Sequence, residues 1–129
     1  MNNAWRVPIV IASLARLAYG AGAMLAPERM GGRWAPTLQD HPDPRMNLRG
    51  LGGAETGIAL YTLRAARSAQ GARAVLSLNV LVDGCDAAVS LLERRERGEF
   101  DRTVAGGVAL NVALLLCWSA AAAALRRNS

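Results

Sequence analysis

VAGGVALNVALLLCWSAAAAAL, residues 104–125, carries no charged side chain, and Asn111 and Ser119 are the two polar interruptions in it. As a helix rising about 1.5 Å per residue it covers about 33 Å, enough to cross the ~30 Å hydrocarbon core of a bilayer. A helix on the surface of a soluble protein shows a charged face, and this run has none. Wrapping it fully in protein would take a thicker shell than the 129-residue chain can supply. The run therefore predicts a transmembrane helix.

Three further runs have the same character: residues 7–26, 48–66 and 74–92. Pro8 suits the first turn of the first helix and Pro27 stops it. Pro27 to Arg45 holds four of the five prolines and reads as one long loop. Ser68-Ala69-Gln70-Gly71 reads as a short turn, and the ERRERGEFDR segment from Glu93 to Arg102 as a charged connection. Short connections make neighbouring helices antiparallel. The expected fold is all-α, a single four-transmembrane-helix bundle running up-down-up-down over residues 1–129. Composition agrees: 25 Ala and 18 Leu against one Phe, two Tyr and three Trp argue against an all-β domain. Hydrophobic residues at 52% and charged residues at 19% exclude disorder.

Two rivals to this reading exist. A soluble four-helix bundle draws on the mean hydropathy of only +0.16 and on Glu55, Asp83 and Asp86 inside the helices. It leaves the uncharged fourth run unexplained. A signal peptide would use Met1–Arg6 as its basic segment and Ala21-Gly22-Ala23 as its cleavage site, but Arg16 interrupts its apolar stretch.

All 15 basic residues are Arg, against 10 acids, for a net charge of +5. Such a balance suits nucleic acid. Here, however, the arginines border apolar runs, which fits anionic lipid headgroups instead, so no nucleic-acid partner is expected. Four spans put both termini and the Ser68 turn on one side, with Arg6, Arg64, Arg67, Arg73, Arg126 and Arg127 and no acid. The other side mixes Arg29, Arg33, Arg45, Arg94, Arg95, Arg97 and Arg102 with acids. The positive-inside rule counts Arg and Lys near the helix ends. The tighter packing of arginines on the terminal side places the termini in the cytoplasm and the protein in the cell membrane.

The polar residues within the spans carry the functional signal. Asn79, Asp83, Asp86 and Ser90 recur at i, i+4, i+7 and i+11, one stripe of the third helix. Ser13, Arg16, Tyr19 and Gly20 share a face of the first helix. Arg49, Gly52, Gly53 and Thr56 share one of the second, with Glu55 at its edge. Counted in from the span ends on one side, Arg16, Glu55 and Asp83 reach similar depths near the midplane, with Tyr19, Asp86 and Asn111 in the next layer. An ionisable group at a helix centre costs about 2.5–3.5 kcal/mol or more, so these groups are expected to face one another. The expected site is a midplane cavity lined by Arg16, Tyr19, Arg49, Glu55, Asn79, Asp83, Asp86 and Asn111. Carboxyls outnumber arginines there. Low dielectric and like charge favour the neutral acid, so one carboxyl, Asp83 or Asp86, is expected to keep its proton. Such a group donates protons.

Other chemistries are excluded or weakly signalled. The chain has no Walker loop, CxxC or HExxH and no GxGxxG after a strand. With one His, His41, no metal site is expected, and no cofactor. His41 beside Asp40 and Asp43 reads as a loop residue. Cys85 and Cys117 read as small apolar fillers. Gly53 and Gly57 form a GxxxG that serves packing within the bundle or a homodimer equally well. Trp5, Trp34 and Trp118 suit interfacial anchors.

RLAYG at 16–20 with Pro27, RGLGGAETG at 49–57 and DGCD at 83–86 resemble small four-helix actinobacterial membrane proteins of the DoxX-like kind. The resemblance spans nearly the whole chain and implies a four-helix membrane bundle, with little about activity. From the residues themselves, the first functional expectation is a site that binds or acts on an apolar small molecule such as an isoprenoid, quinone or lipid. Asp83, Asp86 and Glu55 would supply the acid for cyclisation, isomerisation or epoxide opening, with Arg16, Tyr19, Arg49, Asn79 and Asn111 as ligand contacts. The alternative is a non-enzymatic accessory or assembly subunit of a larger membrane complex, its buried charges structural.

Overall fold

Residues 3–31, 42–98 and 102–127 are described in the computed structural model, and no strand occurs among them. Five helices follow in order: α1 Arg6–Leu25, α2 Pro27–Gly31, α3 Pro42–Ala65, α4 Ala69–Arg97 and α5 Arg102–Arg127. All four long helices are at least as long as their expected runs, although α1 and α3 each end one residue sooner. Pro27–Arg45 is not one uninterrupted loop, because α2 occupies its start and α3 begins at Pro42. Pro42 and Pro44 sit in the first turn of α3, where a missing N–H breaks no helical hydrogen bond. Trp34 and His41 lie outside the described residues.

The expected turn at 68–71 resolves into a cap. Ser68 is extended (φ −128°, ψ 153°), and its Oγ accepts from the Gly71 N–H at 3.0 Å. Gly71 is required there: a Cβ would meet the Ala65 carbonyl oxygen at 2.2 Å. α4 then runs for 29 residues, about 44 Å. It passes through most of the charged segment that reads as a connection, because Glu and Arg are strong helix formers. Gly98 ends it in the left-handed conformation (φ 73°), its N–H donating to the Arg94 carbonyl at 3.0 Å.

The chain divides into two compact units, Met1–Ala12 with Ala65–Ser129, and Ser13–Arg64. In the first, α4 packs on α5. Trp5, Ile9, Ala12, Ala66, Ala72, Leu76, Leu114, Trp118, Ala121 and Leu125 form one core cluster. Trp5 and Trp118 are therefore core residues, 4% and 1% exposed, and not interfacial anchors. In the second unit, α1 and α3 run antiparallel at close range. A Cβ on Gly20 would lie 2.7 Å from the Gly52 carbonyl oxygen, and one on Gly52 2.6 Å from that of Gly20. Gly50, Gly53 and Gly57 meet nothing within 4 Å, so the GxxxG is not what joins these helices.

Burial follows narrow seams. On α5 the buried positions are Val104, Gly107, Asn111, Leu114, Trp118, Ala121 and Leu125, steps of three and four in alternation. On α3 they are Gly52, Glu55, Ala59 and Thr62. This 3.5-residue repeat is the seam of a coiled-coil-like pair, and it leaves most of each helix surface outside. That outer surface is apolar: Ile11, Leu14, Leu60, Leu81, Val89, Leu92, Val112 and Leu116 are among its exposed members. Seven polar or charged residues are buried instead: Ser13, Arg16, Glu55, Thr62, Asn79, Asp83 and Asn111. Among the described residues three helices are long and apolar enough to cross a membrane: Arg6–Leu25, Ala69–Glu96 and Val104–Arg127. Only 33%, 22% and 28% of their apolar windows are buried, so the rest calls for an apolar solvent. α3, with Arg45, Arg49, Glu55 and Arg64, is not among them.

Candidate functional site

Arg16 and Glu55 meet because two backbones meet. The Gly20–Gly52 approach lies one turn beyond Arg16 on α1 and one turn before Glu55 on α3. Antiparallel helices in contact at that level bring the two side chains to the same height. Arg16 Nη1 donates to Glu55 Oε2 at 2.8 Å, with side chains 1% and 10% exposed. This is a charge-assisted hydrogen bond between buried side chains, the strong kind. Ser13, one turn back on the same face, is fully buried, and its Oγ finds no hydrogen-bond partner. Tyr19 is half-buried.

The first unit holds a second polar pair. Trp118 Nε1 on α5 donates to Asp83 Oδ2 on α4 at 2.5 Å, and both residues are 1% exposed. Heptad spacing from Val104 carries Trp118 onto the buried seam, and position 83 completes the 72, 76, 79, 83 series on α4. Asn79, one turn before Asp83, is buried, and its Nδ2 donates to the Val75 carbonyl at 2.8 Å. This back-bond engages the amide nitrogen within its own helix. Asn111 is 8% exposed and lies two turns from Trp118 along the seam.

Two of the eight expected site residues are exposed, and Tyr19 is half-buried. Asp86 and Arg49 are both exposed. Asp86 falls on the predicted stripe of α4, but a stripe is buried only where a neighbouring helix lies against it. From Gly84 onward no described residue of α4 is buried. Ser90, further along the stripe, donates to the Asp86 backbone carbonyl at 2.9 Å and contributes to the helix alone. Arg16 and Glu55 are brought together, as are Asp83 and Trp118. The Asp83–Trp118 contact is absent from the sequence expectation, although the heptad step from Asn111 to Trp118 signals it. Thr62, 1% exposed on α3, was also unexpected, and its signal is the same seven-residue step from Glu55.

Outside the apolar helices, Glu28 opens α2 and faces Arg45 of α3, with Arg45 Nη1 to Glu28 Oε1 at 3.5 Å. The backbone N–H at the start of α2 holds the Glu28 carboxyl below its usual range, and Arg45 and then Arg49 add to this. Both side chains are about two-fifths exposed, so the pair contributes little to stability. Cys85 is exposed and Cys117 half-buried, so only Cys117 serves as the expected filler. Among the described residues no three His, Cys, Asp or Glu side chains converge as metal ligands would. Comparison with family models, curated proteins and solved structures finds no match to this chain.

Proposed function

We propose that the chain is a four-span integral membrane protein that acts as a non-catalytic helical subunit of a membrane assembly. One observation carries this: the ionisable residues buried in its seams are engaged side chain to side chain, while its outer faces are apolar. Arg16 is held by Glu55 and Asp83 by Trp118, which is how polar residues fasten helices to each other in a bilayer. Those outer faces suit lipid or the helices of a partner.

The fourth span follows from where the chain leaves and rejoins the first unit. Residues Trp5, Ile9 and Ala12 at the start of α1 and Ala66 just after α3 belong to the same core cluster. Between them α1 has 20 residues, about 30 Å, and α3 has 24. If α1 crosses a bilayer, α3 crosses back. Its charges are tolerable because Glu55 is paired and Arg45 and Arg64 lie near the ends, within snorkelling reach of water. The proposed bundle is thus up-down-up-down, in keeping with the DoxX-like resemblance.

A second reading draws on the polar surplus of the α4–α5 seam. Asn79, Asp83 and Asn111 are all buried there, more than one helix lock needs. They suit an apolar ligand with one polar group, on which Asp83 acts as the acid. One experiment separates the two readings: extraction in a gentle detergent followed by native mass spectrometry of the full chain. A second polypeptide in fixed stoichiometry is the expected result. A lone chain carrying a small molecule of defined mass, lost in Asp83→Asn, overturns the subunit reading in favour of the ligand site. Recovery in the soluble fraction without detergent overturns both.

A further inference from the structure

One end of the first unit gathers five arginines and no acid. Trp5, Ala66, Ala72 and Leu125 come from four different chain segments and belong to the same packed cluster. Each is followed directly by arginine: Arg6, Arg67, Arg73 and Arg126, with Arg127 next. Arg67, Arg73, Arg126 and Arg127 are exposed and Arg6 is half-buried. No Asp or Glu occurs in residues 1–12, 65–82 or 102–129, the segments that build this end. Helix macrodipoles do not decide the sign of the field here: α4 begins at this end and α5 finishes at it, so their partial charges offset. The arginines alone set it.

Arg6 is fixed in place. Its guanidinium lies 5.2 Å over the Trp5 ring, and its Nη2 donates to the Arg67 backbone carbonyl at 2.6 Å. This ties the chain entering α1 to the turn between α3 and α4, and leaves the Arg67 side chain directed by that turn. A planar guanidinium matches a phosphate in bidentate fashion. Clusters of four to eight basic residues at the ends of membrane helices attract anionic lipid.

We propose that this end binds the phosphate headgroups of anionic phospholipids in the leaflet it meets. The proposal rests on the membrane reading above. Its ligand is lipid phosphate and not nucleic acid, because the arginines ring the ends of helices whose outer faces are apolar. The same acyl chains that solvate those faces bring their headgroups to the collar. The opposite end of α4, with Glu93 and Glu96 among its arginines, offers no such uniform field.

The test reconstitutes the full chain in discs of mixed phosphatidylcholine and phosphatidylglycerol and counts the lipids retained in native mass spectrometry. Phosphatidylglycerol is expected to be enriched several-fold among them. Each arginine lost from Arg67→Gln, Arg126→Gln and Arg127→Gln should lower that enrichment, because each basic residue near the surface attracts anionic lipid, until the triple variant approaches parity. Arg94→Gln with Arg95→Gln, at the other end of α4, should leave it unchanged. Retained lipid in the bulk ratio overturns the proposal, as does a triple variant that keeps the enrichment. Millimolar inorganic phosphate should not displace the lipid; if it does so completely, the site is one for free anions and the proposal fails. A chain that does not enter neutral phosphatidylcholine discs overturns the membrane reading itself, whereas one that enters and shows no lipid preference overturns only this inference.

Discussion

The Arg16–Glu55 pair can be judged by what happens when half of it is removed. Two charges in a dry site lose their hydration, and their attraction offsets that loss only while both are present. The side chains are 1% and 10% exposed, so neither survivor can turn to water without moving a helix. Glu55→Ala should therefore destabilise the protein by about 3–5 kcal/mol, since it removes the carboxylate that accepts from a buried guanidinium. Arg16→Met combined with Glu55→Leu should recover most of that loss, because neither charge of the pair remains and the volumes are similar. Reversible unfolding in detergent, measured for wild type, both single variants and the double, gives the coupling directly. A double variant as unstable as the sum of the singles would mean that the pair is not a helix lock. The same logic explains why Asp83 stands out in the sequence and its indole partner does not. An acid inside an apolar run announces itself by its cost, but an indole N–H is a donor that reads as an apolar bulk until a carboxylate stands opposite it.

At the scale of the helix, glycines separate what composition shows from what contact requires. RGLGG at 49–53 and the GxxxG of Gly53 and Gly57 look like one small-residue patch. Only Gly52 of that patch faces another backbone; Gly50, Gly53 and Gly57 face open space. Gly52→Ala should therefore force α1 and α3 apart, since its Cβ would stand 2.6 Å from the Gly20 carbonyl and 2.9 Å from the Met24 nitrogen. Overpacking of this kind costs about 1–3 kcal/mol, and it should loosen the Arg16–Glu55 contact as well. Gly53→Ala and Gly57→Ala should be neutral or stabilising by up to about 1 kcal/mol, because Ala is the better helix former. Thermal unfolding of the three variants in one detergent checks the order. Equal losses at all three would mean that Gly53 and Gly57 also meet a neighbour, such as a second copy. The existence and class of the long helices were legible in the sequence because apolar runs are long-range averages. Their ends were not: Ser68 reads as a turn residue until its Oγ is seen to cap α4, and Pro42 reads as a breaker until it is seen at a helix start. The stripe through Asp86 was legible as a stripe, but which part of it is buried depends on how far a neighbouring helix reaches, and no local pattern encodes that.

For the whole molecule, the number of crossings decides where the termini lie, and α3 decides the number. Three helices qualify as spans by length and apolarity, and α3 does not. Counting those three alone would put the two termini on opposite sides. The proposed fourth crossing draws on the core cluster instead: Trp5, Ala66 and Leu125 all belong to it, which four spans accommodate by putting the start of α1, the close of α3 and the close of α5 on one side. In the proposed four-span arrangement α3 crosses despite its moderate polarity because its paired Glu55 is buried, which single-helix hydropathy does not register. Single cysteines introduced at Ser68 and Arg127, in a background of Cys85→Ala and Cys117→Ala, should both react with a membrane-impermeant maleimide from the same side of sealed vesicles. A cysteine at Gly98, between α4 and α5, should react only from the other side. Labelling of Ser68 and Gly98 positions from opposite faces, with Arg127 matching Ser68, is expected whichever way the protein is inserted, because α4 and α5 each cross once. The discriminating site is the start of α1: a cysteine at Asn3 should label with Arg127 if α3 crosses and with Gly98 if it does not. The side shared by Asn3, Ser68 and Arg127 should also be the cytoplasmic one, since the acid-free arginines gather there and the cytoplasmic leaflet carries the anionic lipid.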